Sequence, residues 1–171
     1  ADFLVEKGHK RIAFIAGWEG ASTQRDREQG FVEGLKAAGQ SVFKREVGNF
    51  THEDAIAATL RLFEDGNRPD AIFVANDHMA FAVMDVIRGT LALKIPEDVS
   101  VVGYDDVPIA AWPAYSLTTV RQPCNRMVAE TVDILMSGID AKNDHSGEFK
   151  ARKTQIEGPL IVRGSVRSVK G

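Results

Sequence analysis

The chain has 171 residues, of which 44% are hydrophobic and 26% are charged, and its formal net charge at pH 7 is -3. This composition is typical of one folded domain. It excludes a membrane span, because no apolar run approaches the ~20 residues required, and it offers no basic stripe for binding nucleic acid. Cys124 is the only cysteine, which excludes an intrachain disulfide and favours a reducing, cytoplasmic compartment.

The first half of the chain predicts alternating helices and strands, because its apolar runs end at glycines or polar residues. Thr51, followed three residues later by Asp54, is predicted to cap the third helix. The sequence begins with Ala1 rather than Met, so we expect it to be part of a longer protein. The predicted elements are a helix over 1–7, a strand over 12–16, a helix over 24–38, a strand over 42–47 and a helix over 51–63.

The second half opens with the most informative stretch, D-A-I-F-V-A-N-D over residues 70–77. Its apolar run predicts a strand buried on both faces, after which Asn76 follows and Asp77 is predicted to cap the next helix. A polar, mobile linker is expected over 139–147, and a frayed basic tail over 163–171. The remaining predicted elements are strand 71–75, helix 78–88, strand 99–103, strand 117–120, helix 123–136 and strands 149–151 and 155–162, with a break at Gly158 and Pro159.

Predicted strands begin near residues 12, 42, 71 and 99. The spacing of about 30 residues is the length of one strand-helix-strand unit and predicts the α/β class, with a parallel sheet flanked by helices. Parallel strands place their carboxyl ends at one edge of the sheet, where small ligands bind. The residues expected to converge at that edge are the loop 17–27, Asn49 with Phe50, Asn76 with Asp77, and Tyr104 with Asp105 and Asp106.

Several kinds of chemistry have no motif in this sequence. No dinucleotide-binding or phosphate-binding glycine loop follows a predicted strand, the four histidines lack metal-ligand spacing, and Ser22 does not lie in a nucleophile elbow. We therefore predict no cofactor, no metal site and no enzymatic activity.

Six segments along nearly the whole chain resemble the LacI/GalR family of transcriptional regulators in their order and spacing. The resemblance implies the effector-binding module of such a regulator, with a type I periplasmic-binding-protein-like fold of two lobes around a ligand cleft. The segments are G-H-K-R-I-A-F-I-A-G from Gly8, S-T-Q-R-D-R-E-Q-G-F from Ser22, V-A-N-D ending at Asp77, I-P-E-D-V-S-V-V-G-Y-D-D from Ile95, L-T-T-V-R-Q-P from Leu117 and G-P-L-I-V-R-G-S from Gly158.

The resemblance implies effector contacts at Arg27, Phe50, Asn76, Asp105 and Cys124. A guanidinium and a carboxylate suit sugar hydroxyls, an amide offers a donor and an acceptor, and an aromatic ring packs on an apolar ligand face. Other readings stay open: the polar residues can be solvated or structural, and Phe50 can be ordinary core. Cys124 stands where the family often has an aromatic residue.

Three further residues are candidates for the same site. Arg25 competes with Arg27 for the ligand-binding role, since the two lie only two residues apart. Trp18 and Trp112 follow strand ends, and each can be ligand wall, core or interface.

The resemblance also implies a domain organisation. Residues 1–121 would form the carboxyl-terminal lobe, residues 122–155 would belong to an amino-terminal lobe that is otherwise absent, and residues 156–171 would be the return strand and tail. The helix from Pro123 should therefore expose an apolar face.

The implied function is to sense a small polar effector, a sugar or sugar derivative, and so to modulate binding of operator DNA by an amino-terminal helix-turn-helix outside this sequence. A cytoplasmic homodimer is implied, with contacts from the helices after Thr51 and Asp77 and from the loop 107–112. One alternative is a periplasmic sugar-binding protein of a transporter. A sugar hydrolase with Asp105 and Asp106 as paired carboxylates is disfavoured, because adjacent residues at a strand end point apart.

Overall fold

The computed structural model describes residues 1–143 and 154–168. No helix within these ranges is long and apolar enough to cross a bilayer. The elements in chain order are α1 (Asp2–Glu6), β1 (Ile12–Ala16), α2 (Ser22–Ala37), β2 (Arg45–Val47), α3 (His52–Phe63), β3 (Ala71–Val74), α4 (Asp77–Asp85) with a π-helical continuation (Val86–Thr90), β4 (Ser100–Asp105), a 3-10 turn (Pro108–Ala111), β5 (Thr118–Arg121), α5 (Cys124–Asn143) and β6 (Leu160–Ile161).

The strands form one six-stranded sheet in the order β2-β1-β3-β4-β5-β6. Strand β1 pairs in parallel with β2 and β3, and β3 pairs in parallel with β4, whereas β5 and β6 are antiparallel. Every residue of β1 and β3 is buried, as expected for parallel strands covered on both faces. The predicted α/β class with a parallel, helix-flanked sheet is confirmed.

An aromatic cluster joins the sheet to α2. Phe14 and Phe73 are partners in the register of β1 and β3, so their side chains share a face. Phe31 of α2 lies on them, with ring centroids 5.6 Å from Phe14 and 4.7 Å from Phe73. This packing fixes the rotation of α2 and therefore the direction in which its polar residues project.

Several predicted segment ends differ from the structure, including the start of β2 at Arg45 rather than residue 42 and two ends near the carboxyl terminus. Helix α5 continues to Asn143, although a mobile linker was expected from residue 139, because Gly138 alone costs a helix only about 1 kcal/mol. The strand expected over 155–162 is reduced to Leu160–Ile161, since Pro159 cannot donate to a strand ladder. The rest of the expected linker and the strand over 149–151 lie outside the described residues.

The tail is not frayed over residues 163–168, contrary to prediction. Ser165 is buried, its Oγ donates to the carbonyl of Val101 at 2.6 Å and accepts from the Thr118 amide at 2.8 Å. The Val101 amide donates to the carbonyl of Ser165 at 2.9 Å. These bonds attach the tail to β4 and β5, which hydrophobicity patterns alone do not reveal.

The chain divides into two compact units. The first contains Ala1–Val120 and Leu160–Gly171, and the second contains Arg121–Pro159. Within the second unit, α5 exposes an apolar stripe, as its predicted amphipathic pattern requires. The exposed large apolar side chains of α5 are Met127, Val128, Val132, Leu135, Met136 and Ile139.

Candidate functional site

The carboxyl ends of β1, β3 and β4 lie at one edge of the first unit, because these strands are parallel neighbours. We call this edge the rim. The polar residues predicted to converge there follow the strand ends directly, and Arg27 reaches them from α2.

Arg27 connects two of the strand ends. One Nη donates to the carbonyl of Ala75 at 2.6 Å, the other lies 3.4 Å from Oδ1 of Asp105, and the guanidinium lies 4.0 Å from the centroid of the Tyr104 ring. The side chains of Arg27 and Asp105 are 14% and 21% exposed, so the pair is held in place yet reached by solvent. The remaining N–H donors of Arg27 bond to none of the described residues, which leaves part of its fork for a ligand.

Arg25 has a different environment. Its Nη1 donates to the carbonyl oxygens of Glu19 and Gly20 at 3.4 and 3.2 Å, and the side chain is exposed. It therefore holds the loop after β1, whereas Arg27 lies at the rim.

The two adjacent aspartates after β4 also have different roles. Oδ1 of Asp106 accepts from Nη2 of Arg163 at 2.6 Å, and its side chain is only 4% exposed. Asp105, with φ of 127°, lies instead against Arg27. The arrangement fits one rim carboxylate and one structural carboxylate rather than an acid and base pair.

The capping role assigned to Asp77 was wrong. Asn76 is the N-cap of α4, and its Oδ1 accepts from the Met79 amide at 3.0 Å. Its Nδ2 has no hydrogen-bond partner within the described part of the chain, so a donor remains at the rim. Asp77 is fully buried, where it accepts from the Thr119 hydroxyl at 2.6 Å and from the Val107 amide at 3.0 Å.

Phe50 lies beside the end of β1. Its backbone adopts φ of 62°, a left-handed conformation that is uncommon for an aromatic residue. A Cβ placed on Gly17 would lie 2.0 Å from Cζ of Phe50, so the half-buried ring packs directly on the Gly17 backbone. Gly17 is therefore required where the ring approaches the strand end.

A family model described as a periplasmic binding protein-like domain matches residues 1–166. The chain belongs to the periplasmic binding protein-like domain family.

Among the relatives of this periplasmic binding protein-like domain is the HTH-type transcriptional repressor PurR of Vibrio vulnificus (strain CMCP6). It is 32% identical over 169 residues, which are 98% of this chain and 49% of the relative. The chain spans about half the length of the curated relatives it matches.

Two solved structures share the fold closely. The transcriptional regulator CelR in complex with cellobiose is 35% identical, with a TM-score of 0.84 over 95% of this chain and 49% of that chain. A Lac repressor dimer bound to operator and the anti-inducer ONPF is 26% identical, with a TM-score of 0.84 over 97% of this chain and 56% of that chain. The predicted resemblance to LacI-type regulators and the predicted fold are thereby confirmed.

The sequence did not identify the buried support under the rim of this periplasmic binding protein-like domain. Burial raises the pKa of Asp77, and the nearby charge of Asp105 acts in the same direction. The hydrogen bonds from Thr119 and Val107 oppose this rise. A Cβ on Gly103 would lie 2.2 Å from Oδ1 of Asp77, so the carboxylate fills the space that Gly103 leaves. The glycine one residue before Tyr104 was the only sequence feature that could have indicated this close approach.

The other three candidates are exposed. Cys124 is exposed and is the first residue of α5 in the second unit. Trp112 is 56% exposed after the 3-10 turn, and Trp18 is 59% exposed directly after Gly17. The structure thus brings Arg27 and Asp105 into contact and places Asn76 and Phe50 at neighbouring strand ends. That these four residues and Cys124 contact the effector stays a prediction.

Proposed function

We propose that this chain is the effector-sensing domain of a LacI-type transcriptional regulator and that it binds a small, hydroxyl-rich effector at the rim. The observation that carries the proposal is the Arg27 and Asp105 pair, which is ordered between strand ends while still reached by solvent. A binding protein needs such fixed polar groups, because a ligand then loses less free energy in ordering the site.

The four rim residues suit a sugar or sugar derivative. The free donors of Arg27 and the Nδ2 of Asn76 can each donate to a hydroxyl oxygen, and Asp105 can accept from a hydroxyl group. The ring of Phe50 offers an apolar surface to the C–H face of a sugar ring. Cellobiose in the complex of the CelR relative is a ligand of this class.

The similar proteins favour a regulator over the transport protein. The relative from Vibrio vulnificus is named a transcriptional repressor, and the Lac repressor structure is a dimer on operator DNA. By analogy, we propose a cytoplasmic homodimer that binds its operator through a segment outside this chain and catalyses no reaction. Residues 122–155 would belong to the second lobe.

Effector and operator binding would be linked. If the effector binds one arrangement of the lobes more tightly, it shifts the population toward that arrangement and thereby changes the affinity for the operator. Bound operator must change the affinity for the effector by the same factor.

A thermal-shift screen of the full-length regulator against sugars, polyols and purines tests the proposal. A ligand at 100 times its Kd should stabilise the native state by about 2.7 kcal/mol and raise its melting temperature. Arg27→Ala and Asp105→Ala should abolish most of the shift. The control Arg68→Ala should retain it, because Arg68 is exposed and precedes the amino end of β3, at the opposite edge of the sheet from the rim. An unchanged shift in both rim variants would show that the rim is not the effector site.

A further inference from the structure

Trp18 is a large aromatic side chain left in solvent next to the rim. It directly follows Gly17, on which the Phe50 ring packs, and it is 59% exposed. Tryptophan is usually much more buried than this, so an exposed one beside a binding edge calls for a partner.

The indole ring is ordered by the loop that carries it. A Cβ on Gly20 would lie 2.3 Å from Cζ2 of Trp18, so one side of the ring packs on the Gly20 backbone. The amide of Ala21 donates to the carbonyl of Trp18 at 3.0 Å, which closes a tight turn.

Side chains from α2 fix this loop at both ends. The Gly17 amide donates to Oε1 of Gln24 at 2.6 Å, and Gln24 is only 1% exposed. Arg25 donates to the carbonyl oxygens of Glu19 and Gly20. The backbone on either side of Trp18 is therefore held by hydrogen bonds before any ligand arrives.

A third clamp comes from β2. Arg45 donates to Glu19 at 2.8 Å and to both carboxylate oxygens of Glu28 at 2.6 and 3.0 Å. Hydrogen bonds from Arg45 lower the pKa of Glu28 despite its partial burial, so this carboxylate remains charged as the loop's anchor at neutral pH. A surface loop with this many fixed contacts loses little conformational entropy when it binds a ligand.

We propose that Trp18 is a stacking platform for a second sugar ring, and that the effector is therefore a disaccharide or longer carbohydrate rather than a monosaccharide. The proposal rests on the function proposed above. The ring of Phe50 packs on Gly17 and the ring of Trp18 packs on Gly20, so the loop after β1 carries an aromatic ring at each of two glycines, and we assign one sugar ring to each. The indole N–H also supplies a donor for a hydroxyl group.

The test compares matched tryptophan variants of the full-length regulator, because Trp18 and Trp112 are the only tryptophans in this sequence and are almost equally exposed. Binding of glucose, methyl glucoside, cellobiose, maltose and lactose is measured by calorimetry. Trp18→Ala should weaken the best disaccharide about 3- to 10-fold and leave monosaccharide binding unchanged. Trp18→Tyr should keep most of the affinity, and Trp112→Ala should keep all of it.

Tryptophan emission gives a second readout. The disaccharide should change the emission of the parent and of Trp112→Phe, and this change should disappear in Trp18→Phe. Equal losses for Trp18→Ala and Trp112→Ala, or equal losses for both sugar classes, would overturn the platform while leaving the rim site intact. A change of association state in Trp18→Ala, seen by sedimentation, would assign Trp18 to a protein contact instead. If none of these sugars binds even the parent, the platform fails, and the wider thermal-shift screen decides the proposed function separately.

Discussion

The hydrogen bond from Thr119 to Asp77 provides a sharp test of how the rim is supported. Thr119→Val replaces the hydroxyl by a methyl of similar size and removes the donor that lies 2.6 Å from Oδ1 of Asp77. Both residues are fully buried, so water does not replace the lost donor. The backbone amides of Val107 and Asp106 remain as donors to this carboxylate.

The magnitude follows from the charge and burial of the acceptor. Hydrogen bonds to charged groups contribute about 1.5–3 kcal/mol, and an acceptor left unsatisfied inside the protein loses more than an exposed one. We therefore expect Thr119→Val to lower the free energy of unfolding by about 1.5–3 kcal/mol. The loss should be smaller at low pH, where Asp77 takes up a proton and the bond is no longer to a charge.

Thr59→Val is the matched control. Thr59 is equally buried, but its hydroxyl donates at 2.7 Å to the Ala55 carbonyl, which the helix can already satisfy. This substitution should change stability by less than about 1 kcal/mol.

Urea denaturation followed by tryptophan emission measures the effect in the first unit, where Trp18 and Trp112 lie. If Thr119→Val and Thr59→Val were equally stable, Asp77 would not depend on Thr119 and our account of the rim's support would be wrong.

Three further predictions concern Asn76, Gly17 and Asp77. Asn76→Ala should lose the cap of α4 and lower the free energy of unfolding by about 1 kcal/mol, as measured by urea denaturation. Asn76→Asp should keep the cap and lower only the affinity for the effector, as measured by calorimetry. Gly17→Ala should displace the ring of Phe50 and reduce effector affinity. In the control Gly30→Ala the new Cβ meets nothing within 4 Å, so this variant should keep its effector affinity and gain about 0.5–1 kcal/mol of helix stability. Equal effector affinities of the two variants would contradict this placement of the ring. Because the pKa of Asp77 is raised in the folded state, the unfolded state releases its proton first, so the contribution of Asp77 to the free energy of unfolding should fall as the pH rises above the ordinary aspartate pKa of about 4. Asp77→Asn should remove that decline in urea titrations at stepped pH, and an unchanged slope would refute the assignment.

Local sequence patterns predicted the sheet well where the pattern itself causes the structure. Residues 12–16 form β1 as predicted. Every residue of this run before Gly17 is apolar, so a strand buried on both faces removes all of these side chains from water. Thr51 caps α3 as predicted, and its Oγ1 accepts from the Asp54 amide at 3.2 Å. In both cases the deciding contacts lie within a few residues of each other.

Patterns failed where distant residues decide between neighbours. Asn76 and Asp77 are both good caps, and the choice depends on Val107 and Thr119, which lie 30 and 42 residues away from Asp77. Arg25 and Arg27 are likewise indistinguishable by spacing. Family resemblance favoured Arg27, and the structure sets it against Asp105, 78 residues away.

The attachment of the tail to β4 and β5 has a consequence for biosynthesis. Ser165 is synthesised about 45 residues after β5. Only then can its hydroxyl and carbonyl form the bonds to Val101 and Thr118. At roughly 5–20 residues per second, this sheet has an open edge for about 2–9 s, a period in which chaperones or a second nascent chain can reach it.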